Sequence, residues 1–465
     1  MSEVSMSEIA ACEIMPYEIT PAEITTSEIS TSEISTSEIT PSEASIADRD
    51  IAENNGRLRV LQVHNHSAPG WGGEDTVVEL EARLLRARGH TVGEFTASAA
   101  ELKNGSVLRQ MLAAPGFLWS RRSYNGVQRK IAQFEPDIVH VHSTFPTLSP
   151  SVLWASHRAR VAVVQTLHNF RQVCANALLS REDRRCEKCV GRSPFPALRY
   201  RCYQNSLPRT AVMAAIGTLH SKLGTYRRAV DAYIMLNDFN REIFLRGNFP
   251  GRKLMVKPNF VPVSELGRGP RKKQAVFAGE LTRSKGVPLL LDAWRMAALE
   301  GFELLLIGDS SERKIIQRRY GHVPHVTWCG RLSRPEVLEH IAASRILVFP
   351  SLAYENCPMV LLEALSVATP VVAANHPSLQ AIVRHECEGL LFNAGDPRAL
   401  AAALGEALLA GDDTWTRWSK AARRAQAERY SEEVSYSQLI AIYRAAIQNR
   451  SAPALDRETT ASSRR

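Results

Sequence analysis

Two glutamates, Glu355 and Glu363, with seven residues between them, flank a strand-to-helix junction where they could grip the two ends of one polar ligand. The run 346–349 reads as a buried strand, a polar loop follows, and Pro358 stands where a first helical position is expected. The first turn of such a helix, over Cys357, Pro358, Met359 and Val360, leaves backbone N–H groups unpaired and carries a partial positive charge, which makes a seat for a pyrophosphate. Loop and helix together put the carboxylates roughly 10 Å apart, too far to share a proton. On spacing alone, a solvated loop residue and a helix-face charge fit equally well.

A second constellation is Cys174, Cys186, Cys189 and Cys202, within an insertion at 170–205. Its one C-x₂-C pair has the spacing that lets two thiolates reach a tetrahedral metal, and the flanking loops are long enough to close the site. Charged residues such as Arg181, Glu182, Arg184 and Arg185 leave the insertion without a core, so it would gain from a metal staple. A structural zinc, a disulfide and free thiols all remain open. Asp48 and Asp50 have the Asp-x-Asp spacing of a metal site but sit in low-complexity sequence, and no function is assigned to them. Arg121, Arg122, Arg129 and Lys130, with Phe117, Trp119 and Tyr124, could meet a membrane surface or form a solvated helix face.

These residues need elements to hold them. A chain of 465 residues, 45% hydrophobic, can bury two cores. Short apolar runs at 58–63, 91–95, 138–142, 161–167 and 232–236 read as strands and alternate with helix-like stretches such as 74–88. The theme repeats at 275–278, 304–307, 326–328, 346–349 and 370–373, with a helix from about 287. That alternation predicts parallel sheets covered by helices, and the stretch 264–273 reads as the hinge between two of them. No run is long enough to span a membrane. Glu3 and Glu8 stand where a secretory signal would be basic, so the cytoplasm is the expected location. Residues 1–55 repeat Thr-Ser-Glu-Ile with one isolated apolar residue in five, which fits neither helix nor strand, and are expected to be disordered. Residues 1–50 carry a net −10 and the rest +19, which together make the overall +9. A basic body favours anionic partners: sugar nucleotides, lipid phosphates, a membrane surface or nucleic acid.

The order of motifs over residues 58–445 resembles that of the retaining glycosyltransferases of family 4, whose signature is two such glutamates. The carriers are Gly70-Trp71-Gly72-Gly73-Glu74, His140-Val141-His142, Gly279 with Lys285-Gly286, Tyr354-Glu355-Asn356-Cys357-Pro358, Glu363-Ala364-Leu365, Thr369-Pro370-Val371 and Glu388-Gly389-Leu390-Leu391-Phe392. The resemblance implies the α/β GT-B fold, with two Rossmann-like, doubly wound parallel-sheet domains facing a cleft. The first, 56–263, would bind the acceptor and the second, 274–430, the sugar nucleotide. A helix at 431–450 would pack back on the first domain, ahead of a tail at 451–465. By the same resemblance Glu355 contacts the donor sugar and stabilises oxocarbenium charge, Glu363 binds the ribose diol, and Lys285 neutralises the pyrophosphate without a catalytic metal. Gly72 and Gly73 would let backbone approach phosphate or sugar, and His142 would contact the donor sugar.

The implied activity is transfer of a hexose from a UDP- or GDP-linked sugar to a carbohydrate or lipid-linked acceptor, in surface polysaccharide or glycolipid assembly, with peripheral membrane contact. Four departures bear on it. Glu280 stands where an arginine usually partners the lysine, so Arg283 would substitute; Ala368 replaces a glycine; Ala381 replaces a glutamate; and Ser378-Leu379 replaces a glycine-rich turn. An epimerase or phosphorylase would share the cleft with different catalytic residues. A non-catalytic protein binding an anionic ligand or nucleic acid is the other alternative, although no recognition helix or RNA-binding aromatic signature is present.

Overall fold

The computed structural model describes residues 56–66, 73–98, 114–182, 184–267 and 269–451. The repeat segment, Asp48, Asp50, Gly70, Trp71, Gly72 and the tail from 452 lie outside the described residues. The described residues from Arg57 onward form one compact unit. Its first sheet contains β1 (Arg59–His66), β2 (Thr91–Ser98), β3 (Ile138–Val141) and β4 (Ala162–Thr166). A two-stranded hairpin interrupts, β5 (Ser180–Arg181) and β6 (Arg184–Arg185), before β7 (Ala232–Met235) and β8 (Leu254–Val256) complete the sheet. The second sheet holds β9 (Lys272–Ala278), β10 (Glu303–Ile307), β11 (Val326–Gly330), β12 (Ser344–Phe349), β13 (Val371–Asn375) and β14 (Gly389–Asn393).

Every pairing within the two large sheets is parallel, in the orders β2-β1-β3-β4-β7-β8 and β11-β10-β9-β12-β13-β14. This is the doubly wound, GT-B arrangement. Strands covered on both faces must be apolar almost throughout, and β3 and β4 are buried at every position. Three features lacked a sequence signal. The edge strand β8 is only three residues long, β14 opens on a glycine, and the hairpin is polar, so none shows a hydrophobic period.

In open sheets of this kind, ligands bind at the carboxyl ends of the strands where the order reverses. That point lies between β1 and β3 in the first sheet and between β9 and β12 in the second. The chain after β9 and the chain after β12 meet at Gly286, whose φ is 78° and where a Cβ would fall 2.0 Å from the Pro350 carbonyl oxygen. Only glycine permits that approach, and it sets Lys285 beside the loop that carries Glu355. The helix Glu432–Ser451 returns to the first sheet, where Tyr443 hydrogen-bonds His140 Nδ1 at 2.8 Å and Tyr436 hydrogen-bonds His90 Nε2 at 2.9 Å. No helix of the described residues is long and apolar enough to cross a membrane.

Candidate functional site

At the second sheet's switch point Lys285 Nζ donates to Glu355 Oε1 at 2.7 Å, and Ser351 Oγ donates to the same oxygen at 2.6 Å. The amide of Glu355 donates to Ser378 Oγ at 3.2 Å, so the loop is braced from three directions. Pro358 is extended, with ψ 122°, and caps the helix Met359–Ser366 rather than opening it. The expected helix start therefore moves one residue on. No side chain caps this end, and the amides of Met359 and Val360 head the first turn, where orphan N–H groups can take an anion. Glu363 lies on that helix and accepts from Arg334 Nε at 2.7 Å. Both carboxylates are enclosed, at 13% and 12% side-chain exposure, whereas their cations Lys285 and Arg334 are 30% and 42% exposed. Cations so placed can exchange a carboxylate for a ligand phosphate at modest cost.

The first sheet faces this loop with a different chemistry. His142 follows β3 with its ring sealed in the interior, Nδ1 at 3.1 Å from His168 Nε2 and Nε2 at 3.7 Å from Glu81 Oε2. Glu81 pairs with the buried Lys257 at 2.6 Å, and His140 bonds Thr166 Oγ1 at 2.8 Å. Burial pulls His140 down to about 4, His168 to about 3 and His142 well below its ordinary value. His142 is linked to the Glu355 loop through His168, whose carbonyl oxygen accepts from Asn356 Nδ2. Gly73 begins the helix Gly73–Ala87, and a Cβ there would lie 3.7 Å from Met359. Asn237 donates to the Asn356 carbonyl, Asn259 donates to the Cys357 carbonyl at 2.9 Å, and Tyr354 packs on Phe239 with centroids 4.5 Å apart. Burial pushes the Cys357 thiol up to about 12, so it is a packing residue.

Residues 71–265 match the family described as Glycosyltransferase Family 4, and residues 272–410 match that described as Glycosyl transferases group 1. The chain is a glycosyltransferase. A phosphatidyl-myo-inositol mannosyltransferase of Mycobacterium leprae is 26% identical to this transferase over 409 residues, covering 83% of the chain and 96% of the relative. Among solved structures, a glycosyltransferase from Rickettsia africae superposes with a TM-score of 0.60 at 16% identity, covering 84% of this chain and 99% of its own. The Anabaena protein HepE, solved with UDP and glucose, does so with a TM-score of 0.58 at 16% identity, covering 82% and 98%.

The remaining expected residues of the transferase fall in three places. Arg283 lines a cavity of about 200 Å³ with Leu289, Ile315, Tyr320 and Leu352 of the Glu355 loop, and its amide donates to Glu312. Glu280 is exposed. Cys174, Cys186, Cys189 and Cys202 line one small cavity, and burial raises the thiols of Cys174, Cys189 and Cys202, with Cys189 at about 11. They are not among the groups whose donor atoms all lie within 4.8 Å of one another. The basic residues Arg121, Arg122 and Arg129 are exposed on the helix Arg121–Phe134, while Trp119 stacks on Tyr124. Sequence reasoning gave Asn356 no role beyond its place in a motif, and missed Arg334, Ser351 and the partnership of Glu187 with Tyr354, whose hydroxyl donates to Glu187 Oε1 at 2.9 Å. No local pattern marks these residues, since each acts across the fold.

Proposed function

We propose that this transferase moves a hexose from a UDP- or GDP-linked sugar to an acceptor hydroxyl with retention of configuration, in assembly of a surface polysaccharide or glycolipid at the cytoplasmic face of a membrane. The observation that carries this reading is the Lys285–Glu355 pair beside an uncapped helix N-terminus. When the donor binds, its pyrophosphate takes Lys285 and the amides of Met359 and Val360, and its ribose diol takes Glu363 from Arg334. Glu355, freed from Lys285, faces the sugar and stabilises positive charge as the C1–oxygen bond to the diphosphate breaks. The acceptor oxygen forms the new bond from the same face, and its proton passes to the departing diphosphate. Ser351 and Lys285 are the side chains bonded to the Glu355 carboxylate among the described residues, which leaves the departing phosphate as the base. His142 supports the cleft floor through His168 and Glu81.

For the four insertion cysteines we infer a structural zinc, since they line one cavity and thiolate is the donor that zinc prefers; the insertion is not coreless as its charge suggested, because Ala175, Ala197, Met213 and Ile216 form a small core against Cys189 and Cys202. A stoichiometric zinc content that is lost with insertion order in Cys186→Ser would support this; a metal-free, folded protein would remove it. The transfer reading is tested by NMR of products from UDP- and GDP-hexoses. An α-linked donor should give an α-linked product. A β-linked product would overturn retention, and failure of every hexose nucleotide would overturn the donor assignment.

A further inference from the structure

Tyr354, the residue before Glu355, carries its hydroxyl out of the loop to the cysteine insertion, where it donates to Glu187 Oε1 at 2.9 Å. Glu187 stands between Cys186 and Cys189. The turn there is closed by the Val190 amide on the Glu187 carbonyl at 3.0 Å, and the Cys186 amide ties it back to the Leu179 carbonyl at 2.7 Å. The second carboxylate oxygen of Glu187 accepts from Arg246 Nη2. Arg246 ends the helix Asp238–Arg246, and Phe239 near its start lies seven residues earlier, about two turns, so the two share one face. Phe239 packs on the Tyr354 ring with centroids 4.5 Å apart. Phe239, Tyr354, Glu187 and Arg246 thus close a ring in which one helix supports both the tyrosine ring and the carboxylate that takes its hydroxyl. The Arg185 guanidinium lies 5.6 Å from the same ring centroid, and His376 meets the ring edge-on at 6.1 Å. With ring and hydroxyl both held, the two side-chain torsions of a tyrosine have little freedom.

Consecutive Cα atoms are about 3.8 Å apart, so what locates Tyr354 also locates the backbone of Glu355. On the other side, Asn237 and Asn259 hold the carbonyls of Asn356 and Cys357, and Asn356 Nδ2 holds the His168 carbonyl. Glu355 lies between these two sets of tethers. Its direction matters, because displacing a group that stabilises a transition state by about 1 Å can cost on the order of a hundredfold in rate. A hydroxyl bonded to a carboxylate is roughly twice as strong a tether as a neutral pair. We propose that Glu187 is a positioning residue for transfer: through Tyr354 it aims the Glu355 carboxylate at the sugar, and the cysteine insertion is the arm that carries it there. The assignment rests on the transferase reading above.

The test uses the full chain with a panel of UDP- and GDP-hexoses as donors and water as acceptor, reading release of the nucleoside diphosphate. Glu187→Ala should lower kcat roughly tenfold, the loss of one charge-assisted hydrogen bond, while donor KM moves by less than about threefold. Tyr354→Phe should show the same loss. That variant removes one hydroxyl and keeps the Glu187–Arg246 pair, so it decides the matter if Glu187→Ala does not fold. The double variant separates positioning from a general weakening of the fold: acting through one bond, the two substitutions together should cost no more than about tenfold, whereas independent effects multiply to about a hundredfold. A multiplied loss, a kcat within about twofold of wild type in the single variants, or a loss confined to KM overturns the proposal. Wild type that releases no nucleotide from any donor would sink the transfer reading and this assignment with it. Release that is indifferent to both substitutions would sink the role of Glu187 and leave the transfer reading standing.

Discussion

The two sides of the cleft both carry charge, yet they handle it in opposite ways. Along the first sheet, Glu81, Lys257, His140 and His142 are buried, with Lys257 paired to Glu81 and the two histidine rings held by Tyr443, Thr166 and His168. Along the second, Glu355 and Glu363 are enclosed but answered by Lys285 and Arg334, which keep one side in water. A buried pair of the first kind is a fixture, because separating it strands a charge away from solvent. A pair of the second kind can open for a competing anion. The first side is built to hold shape, and the proposed function has the second respond to ligand.

Breaking the fixture should produce the largest effect. Lys257→Met leaves Glu81 buried and unpaired and should cost about 3–5 kcal/mol of stability in urea unfolding. Glu355→Gln probes the responsive side: stability should hold, while kcat falls about 10²–10³-fold, as for loss of one transition-state electrostatic contact. A kcat within threefold of wild type would deny Glu355 that role. The third comparison uses pH. His140 and His168, drawn by burial to about 4 and about 3, titrate near 6.5 when unfolded. The unfolded chain therefore takes up protons that the folded one refuses, so stability is complete above about pH 6.5 and falls toward pH 4, by up to about 2.7 kcal/mol per pH unit for two such groups. Urea melts at pH 7.5 and 5 read the slope, and His168→Asn should flatten it. The smallest effect lies on the second side: Ala368 holds φ 57°, a left-handed conformation that suits glycine, so Ala368→Gly should stabilise by about 0.5–1 kcal/mol.

The same division governs how much the sequence disclosed. Near-continuous apolar runs betrayed the buried strands, and the polar loop after β12 betrayed Glu355 and Glu363, because both signals are local. Lys285 meets Glu355 across 70 positions and Lys257 meets Glu81 across 176, so each partnership exists only once its own sheet has formed. Arg334 looked like any helix-start arginine. Ser378 stood out only as a departure from a glycine-rich turn, yet its hydroxyl braces the amide of Glu355. The resemblance made His142 a contact of the donor sugar, but Glu81, His140 and His168 surround the buried ring, and no spacing rule shows that.

The central claim is that the second side of the cleft is the donor site. A thermal-shift panel of UDP, GDP and ADP, with their sugars, on wild type and Glu363→Ala tests it most directly, because a ligand bound only by the folded chain must raise its melting temperature. The account predicts a rise for one nucleotide class in wild type that disappears in Glu363→Ala. A rise of equal size in both proteins, or none with any nucleotide, would contradict it.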